Sequence, residues 1–212
     1  MNCKREDLLL YAVTDRSFKP NVSLYEQAES ALKGGVTMLQ IREKDLAEED
    51  FLKEANEIKT LCNKYHVPLI INDNVELCKR CGADGVHIGQ HDMPASEARA
   101  IIGKNKILGV SAQTVAQAIE AEKSGADYLG VGAVFPTSTK SDADDVSLDV
   151  LREICEAVKI PVVAIGGISM ENIHKLKGSK IAGAALVSAI FAAEDIEREC
   201  VLLKEKIAEV VR

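Results

Sequence analysis

The sequence predicts a single (β/α)8 barrel, the TIM barrel, with residues 1–212 forming one domain. Three observations predict it. Short apolar runs alternate with amphipathic stretches from end to end, the pattern of parallel strands joined by crossover helices. A glycine signal recurs between a helix and the next strand, in Gly34-Gly35-Val36, Gly82-Ala83-Asp84 and Gly125-Ala126-Asp127. There a left-handed Gly ends the helix, and the small residue and Asp open the strand. Finally, 212 residues without a break in composition suit one barrel of about 200–250 residues. An open doubly wound sheet is the runner-up, with less support because no G-x-G-x-x-G follows the first strand.

Residues 8–14 are an apolar run read as the first strand, and 24–33 show helical spacing until Gly34-Gly35 stops them. A second strand at 37–42 leads to a long amphipathic helix at 48–65. Strand 68–71 precedes a short helix at 75–81, and strand 85–88 precedes a helix at 95–102. Strand 107–110 pairs with helix 114–124, and strand 127–131 with helix 148–158. Strands 161–165 and 181–187 complete the eight, and 195–211 is the closing helix.

Aromatic residues make up 4% with no Trp, so the core must be aliphatic. A net charge of -7 argues against nucleic acid, whose backbone is held by surplus Lys and Arg. It leaves room for small phosphorylated substrates, which need only a local cation cluster. The amino terminus lacks the long apolar run and cleavage site of a signal peptide, and no stretch is apolar enough to span a membrane. A cytoplasmic protein without a membrane partner is expected; a homo-oligomer is compatible with the sequence. Cys78 and Cys81 form a C-x-x-C without the second ligand pair that zinc requires. The pair ends a helix instead of opening one, unlike a redox motif, so both are read as plain helix residues.

In such a barrel the active site lies at the carboxyl ends of the strands, and the polar residues of this chain gather there. After the second strand come Gln40, Ile41, Arg42, Glu43 and Lys44. Alternation points Gln40, Arg42 and Lys44 to one side if the strand persists, giving a fork and a point charge that suit a diphosphate. Asp73 follows Asn72 after the third strand, and Asp92 follows the fourth. Two carboxylates at adjacent strand exits suit Mg2+, which prefers carboxylates, waters and substrate phosphate. Ser111 closes the fifth strand. His87 and His91 are read as structural, with at most one facing the mouth. In 130–140, GVGAVFPTSTK, small residues lead to Thr137, Ser138, Thr139 and Lys140, a set of phosphate donors. Gly166-Gly167 and Val187-Ser188 follow the seventh and eighth strands, where barrels of this kind often bind phosphate through backbone amides. The mouth therefore offers two anion sites, one cationic and one of amides and hydroxyls, and no nucleophile–base pair is expected. That suits transfer between two phosphorylated molecules, in which a diphosphate leaving group needs charge neutralisation more than a base.

YAVTD, QIREK, IND, GVHIGQHD, GVS, GVGAVFPTSTK, AIGGI and LVSAI stand in order at these strand ends. Over essentially its whole length the chain resembles the thiamine-phosphate synthase (thiamine-phosphate pyrophosphorylase) family. The resemblance implies a transferase that condenses hydroxymethylpyrimidine diphosphate with hydroxyethylthiazole phosphate, or its carboxylated form. Diphosphate leaves first, in a dissociative, magnesium-assisted step, and the thiazole nitrogen then attacks to give thiamine monophosphate. By position, Gln40, Ile41, Arg42, Glu43, Lys44, Asn72, Ser111 and Lys140 are expected to bind the pyrimidine diphosphate, with Arg42, Lys44, Ser111 and Lys140 catalytic. Asp73 and Asp92 are expected to hold magnesium, and Thr137, Ser138, Thr139, Gly167, Val187 and Ser188 the thiazole phosphate.

Two positions depart from the family's pattern: Asn74 stands where Arg is frequent, and Ala133 where Pro follows the Gly. The rivals are a thiazole tautomerase-like paralogue, a non-catalytic barrel that binds a phosphorylated ligand, and a sugar-phosphate epimerase. The first would be expected to lose part of the diphosphate and magnesium set, the second does not require both carboxylates, and the third needs an acid/base pair not apparent here.

Overall fold

The computed structural model describes residues 3–44, 46–137 and 145–212. Eight parallel strands close into a barrel in sequence order: β1 (Leu10–Val13), β2 (Met38–Ile41), β3 (Leu69–Asn72), β4 (Gly85–Ile88), β5 (Ile107–Ala112), β6 (Tyr128–Val131), β7 (Val162–Ile165) and β8 (Gly183–Leu186). The helices are α1 (Leu24–Lys33), α2 (Glu48–Tyr65), α3 (Val75–Arg80), α4 (Ala95–Ile102), α5 (Val115–Lys123), α6 (Leu148–Ala157), α7 (Ser188–Phe191) and α8 (Ile196–Val210). The seventh crossover holds only a 3-10 turn, Ile173–Leu176. The (β/α)8 expectation is met, with α7 an added short helix between β8 and α8.

Alternation along the strands divides the interior in two. One face of each strand packs against the helices, as Leu10, Ala12, Leu39 and Ile41 do with Ala28, Ala55 and Ile58. The other fills the barrel with Tyr11, Val13, Met38, Ile70, Ile107, Tyr128, Val163 and Ala185. Scarce aromatics matter here, since two of the chain's four tyrosines occupy this inner core.

The recurring glycine signal acquires a physical meaning. Gly35, Gly82 and Gly125 all have positive φ, as the helix terminator requires. The following polar residue then clamps the start of the preceding strand. Asp84 Oδ2 accepts the Leu69 N–H at 2.8 Å while its own N–H donates to Leu69 O at 2.9 Å. Asp127 does the same with Leu108, at 3.0 and 2.7 Å. Thr37 repeats the pattern with Leu10 through Oγ1 and its N–H, both at 2.9 Å. Each clamp sets the register of one strand pair at the end of the barrel opposite the mouth. Lys59 pairs with Asp84 and Arg99 with Asp127. Arg99 also donates to the carbonyls of Gly103, Lys106 and Gly125, gathering three turns around one carboxylate.

Among the described residues no helix is long and apolar enough to cross a membrane. All six cysteines are free, and only Cys155 is not buried. Cys78 lies in α3 and Cys81 caps it, as the plain reading expects.

Candidate active site

Of the residues expected at the mouth, the group around β2 is sharply differentiated. Gln40 points into the barrel and is buried, its Nε2 donating to Tyr11 Oη. β2 ends at Ile41, so the strand does not carry Arg42 and Lys44 onto one face as alternation anticipates. The Arg42 N–H donates to the buried Thr14 Oγ1 at 3.1 Å, which turns the chain out of the ladder. Ile41 packs its side chain among the helices, leaving only its backbone to face a ligand. Glu43 is taken by Arg16, whose Nε reaches its two oxygens at 3.0 and 2.9 Å. Arg42 and Lys44, by contrast, have no carboxylate partner among the described residues. Among the described residues these two cations stand beside a neutralised Glu43, at the strand exit where the sequence anticipates an anion site.

Lys44, Asn72 and Asp73 line one open cavity of about 510 Å³, walled also by Leu46, Phe51 and Met93. Asn72 is the last residue of β3, in register with His87 of β4. Asp73 adopts a positive φ of 60° and donates its N–H to His87 O at 2.8 Å, which fixes the strand exit. Asn74, the departure from the family's pattern, caps α3 by accepting the Leu77 N–H at 2.8 Å. Asp92 folds back so that Oδ2 accepts the Gly89 N–H at 2.7 Å, and it remains exposed.

These two carboxylates fit magnesium in kind. They are hard oxygen donors on neighbouring strand exits, and the described residues hold no group of three or more metal-ligating side chains.

Across the mouth, the loop after β6 lies on the loop after β7. Val134 N–H donates to Ile165 O at 3.0 Å and Phe135 N–H to Gly166 O at 3.1 Å. Gly167 has φ 63°, and a Cβ there would meet the carbonyls of Phe135 and Pro136, so only Gly fits. Its carbonyl accepts from Asn172 Nδ2 at 2.7 Å, a support the sequence reading missed. This packing brings Gly167 beside the segment that leads to Thr137, joining two parts of the expected amide-and-hydroxyl site. Val187 and Ser188 sit at the β8–α7 junction, Val187 packed against the inner core and Ser188 exposed. Ser138, Thr139 and Lys140 lie outside the described residues.

Ser111 lies within β5, which runs to Ala112, two residues past the strand end at 110 read from the sequence. Its Oγ is 3.0 Å from His87 Nε2, and its carbonyl accepts from Gln90 Nε2 at 2.6 Å. No nucleophile–base pair is expected from the sequence, yet a serine and a histidine do meet here. The third partner is not a carboxylate, however. His87 Nδ1 faces Tyr128 Oη at 2.9 Å, and that hydroxyl meets Tyr11 Oη at 2.7 Å. Tyr11 and Tyr128 are fully buried, and burial raises both phenols above their ordinary values. Both stand in the chain as neutral hydroxyls at neutral pH.

Residues 10–190 match the family model described as thiamine monophosphate synthase. The chain is 48% identical over 200 residues to the thiamine-phosphate synthase of Clostridium tetani, covering 94% of this chain and 96% of that one. Against the thiamine-phosphate synthase of Ruminiclostridium cellulolyticum it is 50% identical over 204 residues, covering 96% and 95%. The solved structure of thiamine phosphate pyrophosphorylase from Pyrococcus furiosus superposes with a TM-score of 0.90 at 39% identity, covering 98% of this chain and 99% of that one.

Proposed function

The chain belongs to the thiamine monophosphate synthase family, and on that premise we propose that it condenses hydroxymethylpyrimidine diphosphate with hydroxyethylthiazole phosphate. It is a transferase of thiamine biosynthesis. In the proposed reaction the bond from the pyrimidine methylene to diphosphate breaks first. The thiazole nitrogen then bonds to that carbon, giving thiamine monophosphate and free diphosphate.

The observation that carries this reading is that Lys44 lines one cavity with Asn72 and Asp73, that Arg42 stands at the same strand exit, and that neither cation has a carboxylate partner among the described residues. Arg42 presents a fork and Lys44 a point charge to the departing diphosphate, where negative charge grows as the bond breaks. Ser111 adds a hydroxyl, and Lys140 is assigned to the same substrate by its match to the family's motif. Gln40 and Asn72 orient the pyrimidine ring by hydrogen bonds. Thr137, Ser138 and Thr139, with the backbone at Gly167, Val187 and Ser188, hold the thiazole phosphate so that its nitrogen faces the methylene. Asp73 and Asp92 would hold magnesium, which would supply charge neutralisation of the diphosphate.

The test is to incubate the purified chain with both substrates and magnesium, with and without a chelator. Thiamine monophosphate and diphosphate are expected in equal amounts, and the chelator is expected to abolish both. No product at saturating substrate would sink the synthase reading and favour a tautomerase-like or purely binding barrel. Product that persists in chelator would remove the metal from the reading.

A further inference from the structure

A single file of hydrogen bonds crosses the barrel interior beneath the mouth. It runs from Gln40 on β2 to Tyr11 on β1, Tyr128 on β6, His87 on β4 and Ser111 on β5. Its two ends are residues assigned above to the pyrimidine diphosphate, and its three middle members have no part in that assignment. The rings pack as well as bond, with Tyr11 edge-on to Tyr128 at 5.8 Å and His87 tilted on Tyr128 at 5.5 Å between centroids. The barrel leaves space for them at two glycines. A Cβ at Gly109 would lie 2.5 Å from His87 Nδ1 and closer still to the Tyr128 hydroxyl, and one at Gly130 would lie 3.0 Å from His87 Cε1.

Counting donors gives the file a direction. The Gln40 amide nitrogen can only donate, so Tyr11 Oη accepts from it. The Tyr11 proton then has one acceptor, Tyr128 Oη. The Tyr128 proton goes on to His87 Nδ1, which leaves the ring proton on Nε2, pointing at Ser111 Oγ. Ser111 accepts from the histidine, and its own proton is turned toward the mouth. In the opposite order, with the proton on Nδ1, Tyr128 would have to donate to Tyr11. The Tyr11 proton would then be orphaned in a fully buried place, a costly arrangement. Only a flipped Gln40 amide, presenting Oε1, would relieve it, and Ser111 would then donate to His87 instead of to a ligand.

We propose that Tyr11, Tyr128 and His87 are positioning residues that hold the Ser111 hydroxyl as a hydrogen-bond donor to the diphosphate substrate and tie its direction to the Gln40 amide. This rests on the synthase reading for the ligand, but not for the direction of the file. A serine that donates suits an anionic leaving group. Activated as a nucleophile, it would need His87 Nε2 as acceptor, the state the tyrosines oppose. The Ser–His contact at 3.0 Å is therefore a donor-orienting contact, not a catalytic dyad.

Nitrogen-15 NMR of the full chain labelled at histidine tests this, with the His87 signals assigned through a His87→Gln variant. The expected wild-type result is a ring protonated at Nε2 alone. Tyr128→Phe keeps the ring and removes the donor to Nδ1, so the single tautomer is no longer enforced and a mixture of Nε2- and Nδ1-protonated rings is expected. In the same variant kcat/KM for the pyrimidine diphosphate is expected to fall about tenfold, with KM for the thiazole phosphate unchanged. A wild-type ring protonated at Nδ1, or at both nitrogens, overturns the proposal without any variant. So does a folded Tyr128→Phe chain whose tautomer and kinetics match the wild type. A wild-type chain that makes no thiamine phosphate strikes the synthase reading and leaves the tautomer to decide the file on its own.

Discussion

Arg16 holds Glu43 in a two-oxygen contact at 3.0 and 2.9 Å and reaches Glu54 at 2.7 Å with Nη2. The Glu43 side chain is only 4% exposed and lies between Arg42 and Lys44 in sequence. Without Arg16, its charge would turn to those two cations and weaken the proposed diphosphate cradle. Arg16→Gln is expected to raise KM for the pyrimidine diphosphate about fivefold, a figure kept small because Arg16 is largely exposed and screened. The double variant with Glu43→Gln is expected to restore it, since the unneutralised charge is then gone. Steady-state kinetics at low and high salt check this, with the effect shrinking at high salt. An unchanged KM, or a double variant no better than the single, would show that Arg16 shields nothing.

The metal assignment is tested most cleanly at Asp92, because its carboxylate also accepts the Gly89 N–H at 2.7 Å. Asp92→Ala removes charge and loop tie together, whereas Asp92→Asn keeps an oxygen for Gly89 and loses only the charge. Asp92→Asn is expected to lower kcat about a hundredfold and to raise the magnesium concentration needed for half activity, with the melting temperature unchanged. Near-normal turnover in Asp92→Asn would remove this residue from the metal site.

The barrel was legible in the sequence because its signals are local. Gly82 followed by Asp84 and Gly125 followed by Asp127 are read from neighbouring residues, and the clamps they form use those same residues. The end of β2 was not legible, because Gln40-Ile41-Arg42 continues an alternating pattern while the event that ends it is capture of the Arg42 N–H by Thr14. The seventh crossover was thin in the sequence too. Between β7 and β8, Asn172 is spent on Ser169 N–H and Gly167 O, and Gly178 follows with positive φ, leaving room for one turn. The interior file was out of reach for a plainer reason. Tyr11 and Tyr128 are 117 residues apart, and a lone His87 in GVHIGQHD carries no sign of either hydroxyl.

The clamps at the closed end should control stability and leave catalysis alone. Asp127→Ala orphans the buried Leu108 N–H and strips Arg99 of its carboxylate, so about 3 kcal/mol of stability is expected to be lost. Asp84→Ala should cost less, because its carboxylate is more exposed than that of Asp127 and its pairing with Lys59 is better screened. Urea unfolding gives both values if the slope stays constant. Equal losses, or a change in KM for either substrate in the folded variants, would contradict a purely structural clamp.

Alkaline pH should unfold the chain through its buried acids. Burial pushes the thiols of Cys3, Cys62, Cys78 and Cys200 from 9.0 to about 12, and that of Cys155 to about 11. Tyr11 and Tyr128 are likewise raised by burial. In the unfolded chain these thiols release their protons near 9, while in the folded chain they keep them until about 11 to 12. Between those limits the folded state binds more protons, so stability falls as pH rises. Full stability is therefore expected below about pH 9, with progressive loss above it, and several groups acting together make the loss steep. Circular dichroism and thiolate absorbance followed through a pH titration should change together, because the buried thiols ionise when the barrel opens. Replacing Cys62 and Cys200 by Ala should flatten the alkaline limb, even though the cavities they leave lower stability at neutral pH. A thiolate signal that rises fully near pH 9 while the fold persists would show that burial does not hold these protons.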